Sequence, residues 1–126
     1  EMPYPCDMER YREYRRYFGI GTADLDGWDT MGREWIRHQL KSAADWVKAH
    51  PDKILYNGEY GTIRHAKPAW REAYVRDVTD FCRDYEIPYC LWNYLSTPYD
   101  GNRFSLVDDD NRKILSPVFA DIIAGR

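Results

Sequence analysis

The sequence has no surplus of positive charge and no long apolar run. Its 18 Lys and Arg are outnumbered by 21 Asp and Glu, which gives a net charge of −3. The chain also lacks a basic stripe interleaved with aromatic residues, so its composition argues against nucleic-acid binding. No segment reaches the roughly 18 apolar residues of a membrane span, and the N-terminus lacks a signal-peptide pattern. We therefore expect neither a nucleic-acid nor a membrane partner.

Cysteine is also scarce. The three cysteines, Cys6, Cys82 and Cys90, are an odd number and do not have the spacing of metal ligands. Cys82 lies in a helical pattern and Cys90 in a strand pattern, so we expect these two to be buried free thiols. The Gly- and Asp-rich stretch 19–28 lacks the 12-residue ligand pattern of a calcium loop. The sequence predicts no metal site and no cofactor.

Apolar and aromatic residues are abundant. Apolar residues make up 44% of the 126 residues, and the chain has eleven Tyr and five Trp. This content argues against disorder, and the length suits one domain covering residues 1–126. Tyr and Trp combine an apolar ring with a polar edge, which suits buried positions with one wet end and surfaces that stack on sugars or bases.

Periodicity predicts four helices and two strands. The helices are expected at 7–18, 29–50, from Pro68 to Ile87, and from Ser116 to Gly125, with Asp7 and Asp29 or Thr30 as caps. Residues 53–57 and 89–95 are predicted strands, the second almost entirely apolar, as if both faces were covered. We interpret residues 1–28 as an N-terminal helix and loop and residues 29–126 as βα units with a parallel sheet.

Polar and aromatic residues follow both predicted strands. Glu59 follows the first strand, and Trp92 to Tyr94 end the second, at the carboxyl side where α/β proteins collect functional groups. A carboxylate in a partly buried strand end costs several kcal/mol unless it is compensated. Glu59 is therefore a candidate functional residue, although a structural carboxylate paired with Arg64 or Arg103 is an open alternative.

Other residues have simpler interpretations. Trp92 taken alone also fits a core residue, and we expect His65 to be an exposed loop residue. Asp108 to Asp110 favour a turn, within a small hairpin, over a cation site.

Three segments resemble the C-terminal part of family 5 glycoside hydrolases, which include many cellulases. They are "YNGEYG" (56–61), "YVRDVTDFCRDYEIPYCLWNY" (74–94) and "GNRFSLVD" (101–108), and the resemblance covers about residues 31–126. Those enzymes are (β/α)8 TIM barrels. The resemblance therefore implies an α/β fold, the C-terminal half of a TIM barrel. A two-stranded sheet has open edges, so we expect completion by self-association or by a missing N-terminal half.

The resemblance also implies roles for particular residues. Glu59 matches the family's nucleophile, Trp92 matches the Trp that stacks under the sugar, and Asn102 is a lower-ranked substrate-binding candidate. The implied reaction is retaining hydrolysis of a β-1,4-linked, cellulose-type polysaccharide, which needs a second carboxyl group about 5 Å from the nucleophile. The resemblance favours a secreted or extracellular protein.

The chain departs from the family in one respect. The family's acid/base Glu follows an Asn on the fourth strand, and no Asn-Glu-Pro sequence occurs here. The chain begins at Glu1 rather than Met, so we expect that an upstream segment was removed or not included, with the family's sixth-strand His and Tyr motif just before Glu1. The alternative function is a non-catalytic half barrel that oligomerises and at most binds carbohydrate. A third hypothesis is a fragment whose fold depends on partners.

Overall fold

A computed structural model describes residues 2–95, 104–107 and 111–125. None of the helices formed by these residues is long and apolar enough to cross a membrane. A single 3-10 turn covers Ala23–Leu25. In chain order, the other elements are β1 (Cys6–Asp7), α1 (Met8–Tyr17), β2 (Thr30–Met31), α2 (Arg33–Gln39), α3 (Lys41–Ala49), β3 (Asn57–Tyr60), α4 (Pro68–Asp84), β4 (Tyr89–Leu91) and α5 (Pro117–Ala124).

Three of the predicted helices are confirmed, and each has a local signal at one end. The Asp7 carboxylate accepts hydrogen bonds from the backbone N–H groups of Glu9 and Arg10 and so caps α1. Pro68 occupies the first turn of α4, where its missing N–H costs nothing. Gly125 ends α5 at φ +77°, a left-handed conformation that favours glycine.

The continuous helix predicted over 29–50 is wrong. Thr30–Met31 is instead a short strand that pairs antiparallel with β1, and Cys6 lies opposite Met31. Neither Asp29 nor Thr30 caps a helix, because α2 begins after Gly32 and is separated from α3 at Leu40. The Met8 N–H donates to the Asp29 carbonyl at 2.9 Å. Pairing with the N-terminal segment thus overrides the local helical pattern.

The predicted parallel sheet is confirmed. β3 and β4 run parallel, with Asn57 opposite Tyr89 and Tyr60 opposite Leu91, and an irregularity lies between the two pairs. α4 covers one face of this sheet through Val75, Val78, Phe81 and Cys82, and α5 packs against α4. The result is a small α/β unit consistent with part of a barrel.

The extent and burial of both strands differ from the prediction. β3 begins at Asn57 and contains Glu59, whereas Ile54, in the predicted strand, is 82% exposed. β4 ends at Leu91, and both Cys90 and Trp92 are exposed. The expectations that both faces of β4 are covered and that Cys90 is buried are wrong, because α4 covers only one face of the described sheet. Cys82 is a buried free thiol, as predicted, and Cys6 is one as well.

A second core joins the N-terminal segment to α4. It contains six buried residues, namely Tyr4, Cys6, Met8, Leu25, Met31 and Trp35. The Tyr4 hydroxyl donates to the Asp77 carboxylate of α4 at 2.6 Å. Arg33 of α2 forms ion pairs with Asp77 and Asp80 of the same helix. The segment around Tyr4 and helix α2 therefore pack onto α4.

Candidate functional site

Glu59 lies on the face of β3 that α4 leaves open. Its neighbour Tyr60 is 8% exposed, and the Tyr60 hydroxyl lies 2.6 Å from the Thr79 hydroxyl of α4. Glu59 is exposed, whereas Tyr60 beside it is buried against α4, so the Glu59 side chain projects away from α4. Burial raises the pKa of Tyr60 to about 12, which keeps this phenol neutral.

β4 brings Trp92 to the same face. Tyr89 and Leu91 pack against the core under the sheet, whereas Cys90 and Trp92 alternate with them and are exposed. The Trp92 N–H donates to the Tyr60 carbonyl at 2.7 Å, just beyond the last paired residues. The Trp92–Asn93 peptide is cis. Glu59 and Trp92 therefore lie on one face, at the carboxyl ends of adjacent parallel strands.

Gly61 sets how closely the two strand ends approach. A Cβ atom at this position would lie 2.1 Å from the Trp92 carbonyl oxygen and 3.4 Å from Cδ1 of Phe104. Only a residue without a side chain permits this approach. The glycine that follows Glu59 and Tyr60 in the segment "YNGEYG" thus has a structural reason in this chain.

The segment 104–107 continues the site beyond β4. The Asn93 N–H donates to the Phe104 carbonyl at 3.1 Å, and the Leu106 N–H donates back to the Asn93 carbonyl at 3.0 Å. An isolated antiparallel bridge joins Val107 to Ile114. The predicted substrate contact Asn102, the alternative ion-pair partner Arg103 and the predicted turn at Asp108 to Asp110 lie outside the described residues.

Arg71 is a buried cation that connects the elements beneath the site. Its Nε donates to the Thr62 hydroxyl at 3.2 Å, and its Nη2 donates to the Ser105 carbonyl at 3.0 Å. Its guanidinium lies 5.0 Å from the centroid of the Phe119 ring. Burial, more than the nearby Arg64, lowers the pKa of Arg71. These contacts hold the segments that follow β3 and β4 against α4 and α5.

Sequence reasoning missed Arg71, although a signal was present. Arg71 precedes Val75, Val78 and Cys82 at helical spacing and is therefore on the buried face of α4. The expected face began at Trp70 and Tyr74, both only partly buried. A charged residue in such a row is normally assigned to solvent, and this one is 4% exposed.

The Glu59 carboxylate makes no hydrogen bond or ion pair with any described residue. The structural alternative with Arg64 as partner is therefore not observed. The expectation that Glu59 is partly buried is also wrong, because its side chain is exposed to water. His65 is exposed, as predicted. Over the described ranges, no group of three or more His, Cys, Asp or Glu is positioned to hold a metal ion.

No protein-family model matches the sequence, and no curated protein matches it either. Solved structures do match the fold. One is a hyperthermophilic endo-β-1,4-glucanase in complex with substrate, with a TM-score of 0.60 and 18% identity over 73% of this chain and 27% of that chain. Another endoglucanase has a TM-score of 0.61 and 20% identity, covering 75% and 28% of the two chains. Thermotoga maritima Cel5A, solved with cellobiose, has a TM-score of 0.59 and 14% identity, covering 71% and 27%.

These similarities establish the fold. The chain has the fold of part of an endo-β-1,4-glucanase barrel, and it spans about a quarter of the length of the solved chains it matches. The resemblance inferred from the sequence is confirmed at this level. The matched part is smaller than the predicted half. At identities of 20% and below, the fold alone follows from the similarity.

Proposed function

We propose that this chain supplies the nucleophile and the sugar platform of a retaining glycoside hydrolase that acts on β-1,4-linked glucan. One observation carries the proposal: Glu59 and Trp92 are both exposed on the open face, at the carboxyl ends of adjacent parallel strands. This is the edge at which barrel enzymes assemble their sites. The similar solved proteins are endoglucanases, one of them in complex with cellobiose.

In this proposal Glu59 attacks the anomeric carbon and forms a glycosyl-enzyme intermediate. Because no described cation pairs with Glu59, its charge is available to the substrate. The Trp92 ring, 45% exposed, offers an apolar face on which a sugar ring stacks. Asn102 donates or accepts a hydrogen bond at the sugar.

The reaction also needs a general acid about 5 Å from the nucleophile. The described sheet with Glu59 has only two strands, β3 and β4, and neither carries a second carboxylate. The acid in this proposal comes from a polypeptide segment beyond these strands, either the remaining part of a barrel or a second copy of the chain.

Hydrolysis of a soluble β-glucan, measured as the release of reducing ends, tests the role of Glu59. Glu59→Gln preserves size and removes the nucleophilic charge, so the rate should fall by about a thousandfold or more. Glu13→Gln, at an exposed position of α1, is the matched control and should hydrolyse at the parent rate. Equal and measurable rates for the parent and Glu59→Gln would remove Glu59 from the mechanism.

A non-catalytic half barrel that self-associates and at most binds carbohydrate is the second candidate. The open face of the β3–β4 sheet favours it, because Tyr56 and Trp92 are 57% and 45% exposed there. Open strand edges and apolar faces promote association. Light scattering on a size-exclusion peak tests this candidate. A dimer that binds glucan without releasing reducing ends supports it, and a monomer contradicts it.

A further inference from the structure

A cleft of about 680 Å³ lies apart from Glu59 and Trp92, neither of which lines it. It opens between the N-terminal segment, α1, α2 and the first turns of α4. This volume falls within the range of sites for small organic ligands. Aromatic side chains form most of its walls, including Tyr11, Tyr14, Phe18, Trp35, Trp70 and Tyr74.

Four of these rings form a continuous series from the core to the solvent. Trp35 is 8% exposed, and its ring centroid lies 5.3 Å from that of Tyr11. Tyr11 is followed by Tyr14 at 6.3 Å, and Tyr14 by Phe18 at 4.8 Å. Tyr14 and Phe18 are 43% and 57% exposed. The inner rings fix the wall, and the outer two present apolar faces to the solvent.

Unpaired polar groups accompany the rings. The Trp35 side chain is more than nine-tenths buried, and its indole N–H has no acceptor among the described residues. The hydroxyls of Tyr11 and Tyr74 also make no hydrogen bond within the described ranges. Burial raises the pKa of both phenols, so they remain neutral. The Trp35 N–H is closed to solvent and is not available to a ligand, whereas the unpaired Tyr11 and Tyr74 hydroxyls can bond to a ligand or a water molecule in the cleft.

The chemistry of the walls narrows the ligand class. The other polar side chains of the cleft belong to Tyr4, Tyr14, Thr62 and Arg71, and no Asp or Glu lines it. The Arg71 guanidinium already donates to Thr62 and Ser105. Ring faces with interspersed hydroxyl groups suit an uncharged polyhydroxy ring, which has an apolar face and hydroxyls at its edge. A site without a carboxylate lacks the groups for glycoside hydrolysis, so binding is the activity it supports.

We propose that this cleft is a second carbohydrate-binding site, which holds sugar rings of a β-linked glucan away from Glu59. The choice of a glucan rests on the proposed function. Gly61, Thr62 and Ile63 leave the carboxyl end of β3 and form one side of the cleft. One side of the cleft therefore begins at the same end of β3 that carries Glu59.

The test is binding of cellotetraose, by calorimetry, and of soluble hydroxyethyl cellulose, by affinity electrophoresis. The double variant Tyr14→Ala, Phe18→Ala removes the two exposed rings and leaves both buried cores intact, which circular dichroism would verify. Its Kd for cellotetraose should rise about tenfold, which corresponds to roughly 1.4 kcal/mol. Tyr11→Phe keeps the ring and removes an unpaired hydroxyl of the cleft, and its Kd should rise about fivefold.

Trp46→Ala is the matched control. Trp46 is 38% exposed on α3 and stacks on His50 at 4.4 Å, outside the cleft. This variant should bind glucan as the parent does. An unchanged Kd in the double variant, or no binding of either glucan by the parent, would overturn the proposal.

Glu59→Gln separates this proposal from the proposed hydrolase function. Binding that persists in Glu59→Gln and is lost in the double variant supports the cleft, even if the parent releases no reducing ends. Binding that Trp92→Ala abolishes and the double variant leaves unchanged assigns the sugar to the open face of the sheet and overturns the second site.

Discussion

Gly61→Ala is the substitution that most directly tests the geometry of the candidate site. The new methyl group would lie 2.1 Å from the Trp92 carbonyl oxygen, whereas real Cβ contacts essentially never fall below 3.0 Å. The two backbones must therefore separate by about 1 Å. A backbone carbonyl cannot rotate away as the end of a flexible side chain can. The substitution should thus displace Trp92 relative to Glu59.

The cost follows from two contributions. Overpacking a closely packed position costs about 1–3 kcal/mol. The separation also strains the hydrogen bond between the Trp92 N–H and the Tyr60 carbonyl, now 2.7 Å, which adds about 1 kcal/mol when it is lost. We expect the free energy of unfolding to fall by about 2–4 kcal/mol. With a urea slope of about 2 kcal/mol per molar, the midpoint should fall by about 1–2 M.

Urea unfolding followed by tryptophan fluorescence measures this effect, and Gly58→Ala is the matched control. Gly58 lies in the same strand, and a Cβ there would meet only Cε1 of Tyr56 at 3.6 Å, an ordinary contact. Gly58→Ala should keep the free energy of unfolding within about 0.5 kcal/mol of the parent value. If Gly61→Ala is no less stable than Gly58→Ala, the close approach of the two strand ends is refuted.

Two further predictions concern the groups under the sheet. Tyr60→Phe leaves the buried Thr79 hydroxyl without its partner and should cost about 1–2 kcal/mol in urea unfolding, whereas Tyr94→Phe, at an exposed position, should cost nothing measurable. Because the pKa of Tyr60 rises to about 12 in the folded state, the folded protein holds this proton more tightly than the unfolded chain. The Tyr60 phenol therefore contributes fully to the free energy of unfolding below pH about 10, and this contribution declines as the pH rises towards 12. Tyr60→Phe should flatten the decline, and an unchanged slope of stability against pH would contradict the assignment. In Arg71→Lys the free energy of unfolding should fall by about 2–3 kcal/mol, because one ammonium group cannot reproduce the hydrogen bonds to Thr62 and Ser105 together with the contact to the Phe119 ring. A urea midpoint equal to that of the parent would show that these contacts do not stabilise the fold.

Polar as well as apolar contacts hold the elements of the candidate site together. Arg71 donates to residues that follow both strands, and Tyr60 and Thr79 fix β3 to α4. Groups that position a site are held by such contacts because buried polar partners allow few alternative arrangements. Glu59 itself makes no such contact with the described residues, which leaves its carboxylate available for a ligand.

The sequence alone determined the features that depend on neighbouring residues. Asp7, Pro68 and Gly125 mark helix ends because caps, prolines and left-handed glycines act within one turn of the chain. The order of strand, helix and strand implied the parallel pairing of β3 and β4. The resemblance of residues 56–61 to a known motif directed attention to Glu59, whose role remains a prediction.

Only the tertiary structure decided the features that depend on residues distant in sequence. The segment 29–50 divides because Met31 pairs with Cys6, a contact that no local pattern encodes. Glu59 and Cys90 are exposed, and Arg71 is buried, because α4 covers one face of the sheet and leaves the other open. Burial is a property of the assembled chain, whereas periodicity gives only the face on which a residue lies.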